Sequence, residues 1–328
     1  MVFATGALAQ ETVYTFTPDK ISTLSLYNVS NFAPFHVFNE SFSSVLGDAP
    51  VISNILNSTG LSFPQFHEAA IFYSESTLFV TSNQYASKTN SSATNNKMVS
   101  ITRLDKTDDG WTSTIIEPEG AITLANGGIK YKDGLVICDQ GSLTTPGGLF
   151  FMNSTAPYTT RPLINHYYGV EFNSPNDVYA TNDGALVLPN YVYRYMPDTN
   201  DIRVVADGLQ EPNGITFSPD EKTAYITEGM GNSTNPTGPR AIYAYDVITR
   251  GGQPSLANKR VFAMPQKGLP DGIKTDAAGN VYAGCGDGVN VWNEGGILIG
   301  KVVVPGGSAN FVLGNEGNRT QNLAIERG

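Results

Sequence analysis

The chain of 328 residues predicts an all-β fold, a six-bladed β-propeller. Three observations predict it. Gly (34) and Pro (19) are abundant, charged residues make up only 15%, and Tyr (16) and Phe (16) supply many aromatics. That mix suits a turn-rich sheet protein with a large core. No stretch carries the i, i+3, i+4, i+7 apolar spacing of an amphipathic helix. And one short plan recurs along the chain, the mark of a repeat architecture.

In that plan a polar residue opens a short apolar strand, a turn follows, and a second apolar strand begins about ten to thirteen residues after the polar one. His67-Glu68-Ala69-Ala70-Ile71-Phe72-Tyr73 leads to Thr77-Leu78-Phe79-Val80, and Asn126-Gly127-Gly128-Ile129-Lys130-Tyr131 to Leu135-Val136-Ile137. Asn176-Asp177-Val178-Tyr179 leads through Asn182-Asp183-Gly184 to Ala185-Leu186-Val187-Leu188. Asn213-Gly214-Ile215-Thr216-Phe217 leads through Ser218-Pro219-Asp220 to Ala224-Tyr225-Ile226-Thr227, and Asp271-Gly272-Ile273-Lys274 through Ala277-Ala278-Gly279 to Val281-Tyr282-Ala283. The connecting segments carry turn formers. A third run follows each pair, such as Gly148-Leu149-Phe150-Phe151 or Ala241-Ile242-Tyr243-Ala244-Tyr245, and a fourth often follows that. Four antiparallel strands every ~40–50 residues is the plan of a propeller blade.

Five full blades start near Phe66, Thr123, Ser174, Glu211 and Leu269. A sixth starts at Ala309-Asn310-Phe311-Val312-Leu313 and is short of chain, with Asn322-Leu323-Ala324-Ile325 as one more strand. The expectation is that Phe35-His36-Val37-Phe38 and Val51-Ile52-Ser53-Asn54-Ile55-Leu56 complete it, because closure by both termini removes free sheet edges. Residues 1–10 read as a residual signal-peptide segment, with Ala7-Leu8-Ala9 as a small-x-small cleavage pattern. Residues 11–328 read as a single propeller domain.

Seven Asn-x-Ser/Thr sequons, among them Asn28, Asn57, Asn90 and Asn232, agree with a secreted protein. No apolar run approaches the ~20 residues of a membrane span. The net charge of −10 disfavours nucleic acid and anionic membranes as partners. Cys138 and Cys285 end apolar runs and read as two buried free thiols, with a bridge in an oxidising compartment as the other reading. With no Cys-x-x-Cys and three His, zinc is not supported. Neither a Gly-x-Ser-x-Gly elbow nor a Gly-x-Gly-x-x-Gly opening a helix is present, so no nucleotide cofactor is expected.

The first strand of a blade lines the channel of a propeller. In-register blades would therefore bring Glu68, Asn126, Asn176, Asn213, Asp271 and Asn310 to one height. Hard divalent cations such as Ca²⁺ take roughly six to eight carboxylate, amide and water oxygens. The alternative is that Asn-Gly and Asp-Gly recur as turn chemistry. Glu68, at the same offset and no turn former, argues for the ring.

Ser174-Pro175-Asn176-Asp177-Val178, Glu211-Pro212-Asn213-Gly214-Ile215-Thr216-Phe217-Ser218-Pro219-Asp220 and Leu269-Pro270-Asp271-Gly272-Ile273 resemble the gluconolactonase/regucalcin superfamily. With Phe66-His67-Glu68-Ala69-Ala70, Asn126-Gly127-Gly128 and Val281-Tyr282-Ala283-Gly284-Cys285-Gly286-Asp287-Gly288-Val289, the chain is similar to secreted fungal lactonohydrolases. The resemblance implies lactone hydrolysis with a divalent cation, usually Ca²⁺. It implies Glu68, Asn176, Asn213 and Asp271 as metal ligands, with Asp271 also taking a proton from the attacking water. Asn126, Asp177 and Asn310 become candidates for substrate contact. His67, next to Glu68, is a candidate for reaching the pocket; His36 and His166 read as structural.

The chain departs from those relatives at Lys274, where they tend to carry His, and in a short connection between Leu188 and Tyr191, where they carry a covering loop. An opened pocket fits a bulkier substrate, lactone or polyketide- or terpenoid-like. A second reading is therefore a metal-independent pericyclase resembling the fungal hetero-Diels–Alderases, with Lys274 and tyrosines as hydrogen-bond donors. A third is a non-catalytic binding propeller.

Overall fold

The computed structural model describes residues 2–4, 13–15, 34–56, 58, 61–86, 97–142, 144–189, 191–231, 235, 237–316 and 319–325. Asn28, Asn57, Asn90 and Asn232 of the sequons lie outside them. The described residues are nearly all strand and turn, with one helix, Glu40–Leu46. No helix among them is long and apolar enough to cross a membrane. The strands form a five-blade β-propeller arrangement rather than the six-bladed one expected. The chain divides into two compact units.

The unit of Leu56–Ile215 with Ile248–Ala257 holds the first three blades. They are Glu68–Ser74, Thr77–Thr81, Ile101–Thr107 and Gly110–Ile116; then Ala125–Tyr131, Gly134–Asp139, Gly148–Asn153 and Thr160–Ile164; then Tyr179–Ala180, Leu186–Leu188, Val192–Met196 and Asp201–Ala206. Every pairing within these blades is antiparallel. Strand Gly134–Asp139 shows why its sequence is a continuous apolar run. It is buried throughout. Leu135 and Ile137 pack with Ile71, Phe79 and Ile101 of the first blade. Val136 and Cys138 pack with Leu186, Leu188 and Tyr193 of the third. Period-two alternation thus serves two neighbours at once. Each such buried side chain contributes about 1.5–3 kcal/mol.

The fourth blade, Pro212–Phe217, Thr223–Glu228, Ala241–Arg250 and Gln253–Ala263, has residues in both units. The second unit holds the fifth blade, Ile273–Thr275, Val281–Cys285, Gly288–Trp292 and Leu298–Val303. This sheet is extended to six strands by Phe35–Val37 and Val13–Thr15. Here the expectation fails. Phe35–Val37 does not complete a sixth blade; it pairs antiparallel with Gly300–Val302 of the fifth. Its seat depends on the helix beside it. Phe42 of Glu40–Leu46 lies over Gly300, where a Cβ would stand 1.9 Å from the Phe42 ring.

Of the runs assigned to a sixth blade, Ile52–Asn54 does share a sheet with Phe311–Glu316 and Arg319–Ile325; the sheet's order is Phe311–Glu316, Arg319–Ile325, Val2–Ala4 and Ile52–Asn54, with Val2–Ala4 coming from the segment read as a signal peptide. The last two are three residues each. The repeat count failed here because apolar terminal runs do not state which sheet they join. Cys138 and Cys285 are both free and buried.

Candidate functional site

Each blade has a leading end, where its first strand starts and its second strand finishes. In the unit of residues 56–215 that end carries Glu68, Asn126, Asn176 and Asn213. Asn126 and Asn213 lie inside strands Ala125–Tyr131 and Pro212–Phe217, so they are not the turn residues that Asn-Gly alone would make them.

Bulges aim two of these residues. The register of Glu68–Ser74 slips between Glu68 and Ile71, and Ala69 and Ala70 take φ of 74° and 45°. The register of Ala125–Tyr131 slips between Ala125 and Gly128. A bulge bends its strand and re-aims a side chain. Positive φ at alanine stores on the order of 1–3 kcal/mol and persists where surrounding structure enforces it, commonly at functional sites.

Hydrogen bonds lock the three blades at this end. Thr81 donates through its hydroxyl to the carbonyl of Asn126 at 3.0 Å. Gly127 donates through its N–H to the carbonyl of Asn176 at 2.8 Å. Gly127 is required for that approach, since a Cβ there would stand 2.6 Å from the Asn176 carbonyl oxygen and 2.8 Å from Asp177 Oδ1. Asp177 is buried, and its Oδ1 accepts from the N–H of Val178 at 2.8 Å.

The polar atoms here are the chemically informative ones. The Oδ1 atoms of Asn126, Asn176 and Asn213 are buried and accept no hydrogen bond among the described residues. Nδ1 of His67 is likewise buried and unpartnered. Each such atom costs about 1–3 kcal/mol. Glu68 is 5% exposed. Burial, then the carboxylates of Asp177, Asp139 and Glu68, push the Cys138 thiol well above its ordinary range. Burial pulls His67 below its ordinary value, so its imidazole is neutral at neutral pH. Its backbone N–H is tied to Thr81 O at 2.9 Å.

The second unit carries the other predicted residues. Asp271 is held by its backbone: its N–H bonds Gly284 O at 2.9 Å and its carbonyl accepts from the Thr227 hydroxyl at 2.7 Å. Gly272 donates to Ala309 O at 2.9 Å, and a Cβ on it would meet Asn310 Oδ1 at 2.3 Å. Asn310 is buried, with Oδ1 accepting from Phe311 N at 2.9 Å. Asp271, Gly272 and Asn310 thus form one local group. Lys274 lies on Ile273–Thr275 opposite Tyr282, half-buried. Ile273 is fully buried and Thr275 donates to Phe217 O at 2.6 Å, so alternation turns Lys274 to the other face. His36 is buried against Phe38, and His166 contacts Asn165 Oδ1 at 2.6 Å.

Among the described residues no three His, Cys, Asp or Glu side chains cluster as a metal cage. The donors in the first unit are of another kind, one carboxylate and unpartnered amide oxygens. Oxygen-only donors fit a hard divalent cation. Thr81 and Thr227, fully buried near the ends of second strands, escape motif reading. Their only signal is a recurrence in corresponding places of two blades.

Residues 95–323 match the family described as the SMP-30/Gluconolactonase/LRE-like region. The chain is 33% identical over 218 residues to Lactonohydrolase oryL of Aspergillus oryzae, covering 52% of this chain and 47% of that protein. It is 29% identical over 164 residues to the Gluconolactonase of Zymomonas mobilis, covering 43% and 44%. The chain thus spans about half the length of these curated relatives, or somewhat less. Among solved structures, XC5397 of Xanthomonas campestris, a gluconolactonase, aligns with a TM-score of 0.63 at 23% identity over 90% of this chain and 96% of that one. The calcium-binding protein regucalcin of Agrobacterium tumefaciens aligns with a TM-score of 0.55 at 16% identity, over 81% and 93%.

Proposed function

The chain belongs to the SMP-30/gluconolactonase/LRE-like family, and from that premise we propose that it is a divalent-metal-dependent lactone hydrolase. Relatives named as lactonohydrolase and gluconolactonase support the reaction class. The observation that carries the metal is the buried, unpartnered Oδ1 of Asn176 and of Asn213. Oxygens left without a donor at that cost are suited to a cation.

In this reading Glu68, Asn176 and Asn213 hold the cation through oxygen. Asp271 belongs to the other unit, and its place in the set is argued from the Leu269-Pro270-Asp271-Gly272-Ile273 motif alone. A bound divalent cation polarises the lactone carbonyl and stabilises the oxyanion that develops on it. The chain's own residues do the rest. Asp271 takes a proton from water as the water oxygen bonds the carbonyl carbon. It returns that proton to the ring oxygen as the acyl C–O bond breaks, leaving a hydroxy acid. Asn126 orients the substrate. His67, neutral and with an unpartnered Nδ1, offers a hydrogen bond to substrate or water, donating or accepting according to its tautomer.

The test is lactone hydrolysis across a panel, in Ca²⁺ and in chelator, with metal analysis of the purified protein. Loss in chelator and recovery on Ca²⁺ addition supports the reading. A lactone-opening rate unchanged by chelation overturns its metal dependence.

A further inference from the structure

We propose that a tyrosine platform beside Asn176 binds the non-reacting part of the substrate, and that this part is an extended, flat, apolar substituent. The proposal rests on the lactone-hydrolase reading for its reaction, and on a separate surface for its substance.

Between the second and third blades the chain makes a two-stranded hairpin, with His166 paired to Glu171 and Tyr167 to Val170. Its turn is Tyr168-Gly169, with φ of 46° and 89°. Positive φ at both central residues is the type I′ pattern, which favours Asn, Asp or Gly. A bulky ring in that conformation is an outlier whose strain points to use. The turn holds Tyr168 at the tip, 81% exposed. Val170 and Tyr191 are 63% and 62% exposed.

Tyr168 and Tyr191 belong to one aromatic cluster. Tyr167 meets Tyr168 edge to face at 5.0 Å and Tyr193 at 5.6 Å. Phe172 stacks on Tyr193 at 4.7 Å, and Tyr191 meets Tyr193 at 6.3 Å. Phe172 and Tyr193 are buried and form the base. Rigid rings give contact area at low entropic cost. Large exposed apolar side chains gathered in one place mark binding surfaces.

The base of the platform is joined to the candidate site by a short run of chain. Phe172 N bonds Asn165 O at 3.1 Å and bridges Gly147, closing the hairpin base. A Cβ on Gly147 would stand 2.7 Å from Pro175 Cδ. Pro175 immediately precedes Asn176. Four residues from Phe172 to Asn176 span at most about 13 Å of chain. A conjugated tail of that length would carry a lactone held at Asn176 as far as the rings. Tyr191 and Tyr168 present the exposed edge of the cluster.

The experiment compares δ-valerolactone with its 6-styryl derivative, using the wild-type chain and Tyr168→Ala/Tyr191→Ala, in Ca²⁺. Both substituted residues are exposed, and the circular dichroism spectrum confirms the fold. The wild type is expected to prefer the styryl compound in kcat/KM. The double variant is expected to raise KM for it about tenfold, with kcat and all δ-valerolactone kinetics unchanged. An equal substrate ratio in both proteins overturns the platform. If the wild type opens neither lactone, the hydrolase reading fails by itself. The platform is then judged by calorimetric binding of the styryl lactone: a Kd weakened about tenfold in the variant supports it, and equal or absent binding overturns it.

Discussion

The Thr227 hydroxyl donates a 2.7 Å hydrogen bond to the backbone carbonyl of Asp271. Thr227 is fully buried, near the end of its blade's second strand. Thr81 does the same for Asn126 from the same place in the first blade. The contact fixes the main chain at Asp271. Thr227→Val keeps the shape and strands a buried carbonyl. It is expected to cost about 1–3 kcal/mol of stability by denaturant unfolding. Because the Asp271 backbone then shifts, kcat should fall more than KM rises, and Thr227→Ser should restore both. Unchanged kcat in a destabilised Thr227→Val would make the contact purely structural.

The amide oxygen of Asn176 sets stability against binding. It is buried without a donor, so its removal need not destabilise the metal-free chain. Asn176→Leu is expected to match or exceed the wild type in chelator, by up to about 1 kcal/mol. In saturating Ca²⁺ the order should reverse. A ligand at a hundred times its Kd stabilises by about 2.7 kcal/mol, a gain the variant should lose in large part. Thermal unfolding of both proteins with and without Ca²⁺ reads this directly. Equal Ca²⁺ shifts would remove Asn176 from the ligand set.

Much of this was legible in the residues, for a reason. A polar residue that precedes an apolar strand at a constant offset is a local pattern, so Glu68, Asn126, Asn176, Asn213 and Asp271 could be picked out without a structure. What those residues do there was less legible. Asn-Gly reads as a turn, yet Asn126 sits in a strand at a bulge, and only the distance from Gly127 to Asn176 explains its glycine. Strand partners of the terminal runs were legible only in part: Ile52–Asn54 does share a sheet with Phe311–Glu316, as expected, whereas Phe35–Val37 does not. Phe35-His36-Val37 reads equally well for any sheet edge; its choice of the fifth blade depends on Gly300 making room for Phe42. The five-blade arrangement follows from such nonlocal choices.

Gly127 and Gly272 invite a graded comparison. A methyl at Gly127 would strike the backbone oxygen of Asn176 at 2.6 Å, which cannot move without dragging the blade start. A methyl at Gly272 would strike the Asn310 side-chain amide, which is buried and tied to Phe311 N. Both Gly→Ala changes are overpacking, worth about 1–3 kcal/mol. Gly127→Ala should lie at the upper end, because its obstacle is main chain, and it should weaken Ca²⁺ binding by displacing Asn176. Denaturant midpoints and Ca²⁺ titration of the two variants test the order. A larger cost at Gly272 would show that the Asn310 amide is the more rigid partner.

His67 makes a prediction in pH. Burial pulls its folded-state pKa below the ordinary 6.5. The unfolded chain therefore binds more protons than the folded one between those two values. Stability then rises with pH in that window. The contribution is fully present above about 6.5 and is lost as pH falls through the folded-state value. His67→Gln abolishes the titration while keeping a polar side chain of similar reach. Unfolding free energy measured from pH 7.5 down to 5 should fall less steeply for the variant than for the wild type. Parallel curves would mean that other groups carry the acid sensitivity. The same titration reaches catalysis if Nδ1 accepts a hydrogen bond from substrate or water. The acid limb of kcat/KM should then lie below pH 6.5 in the wild type and move or vanish in His67→Gln.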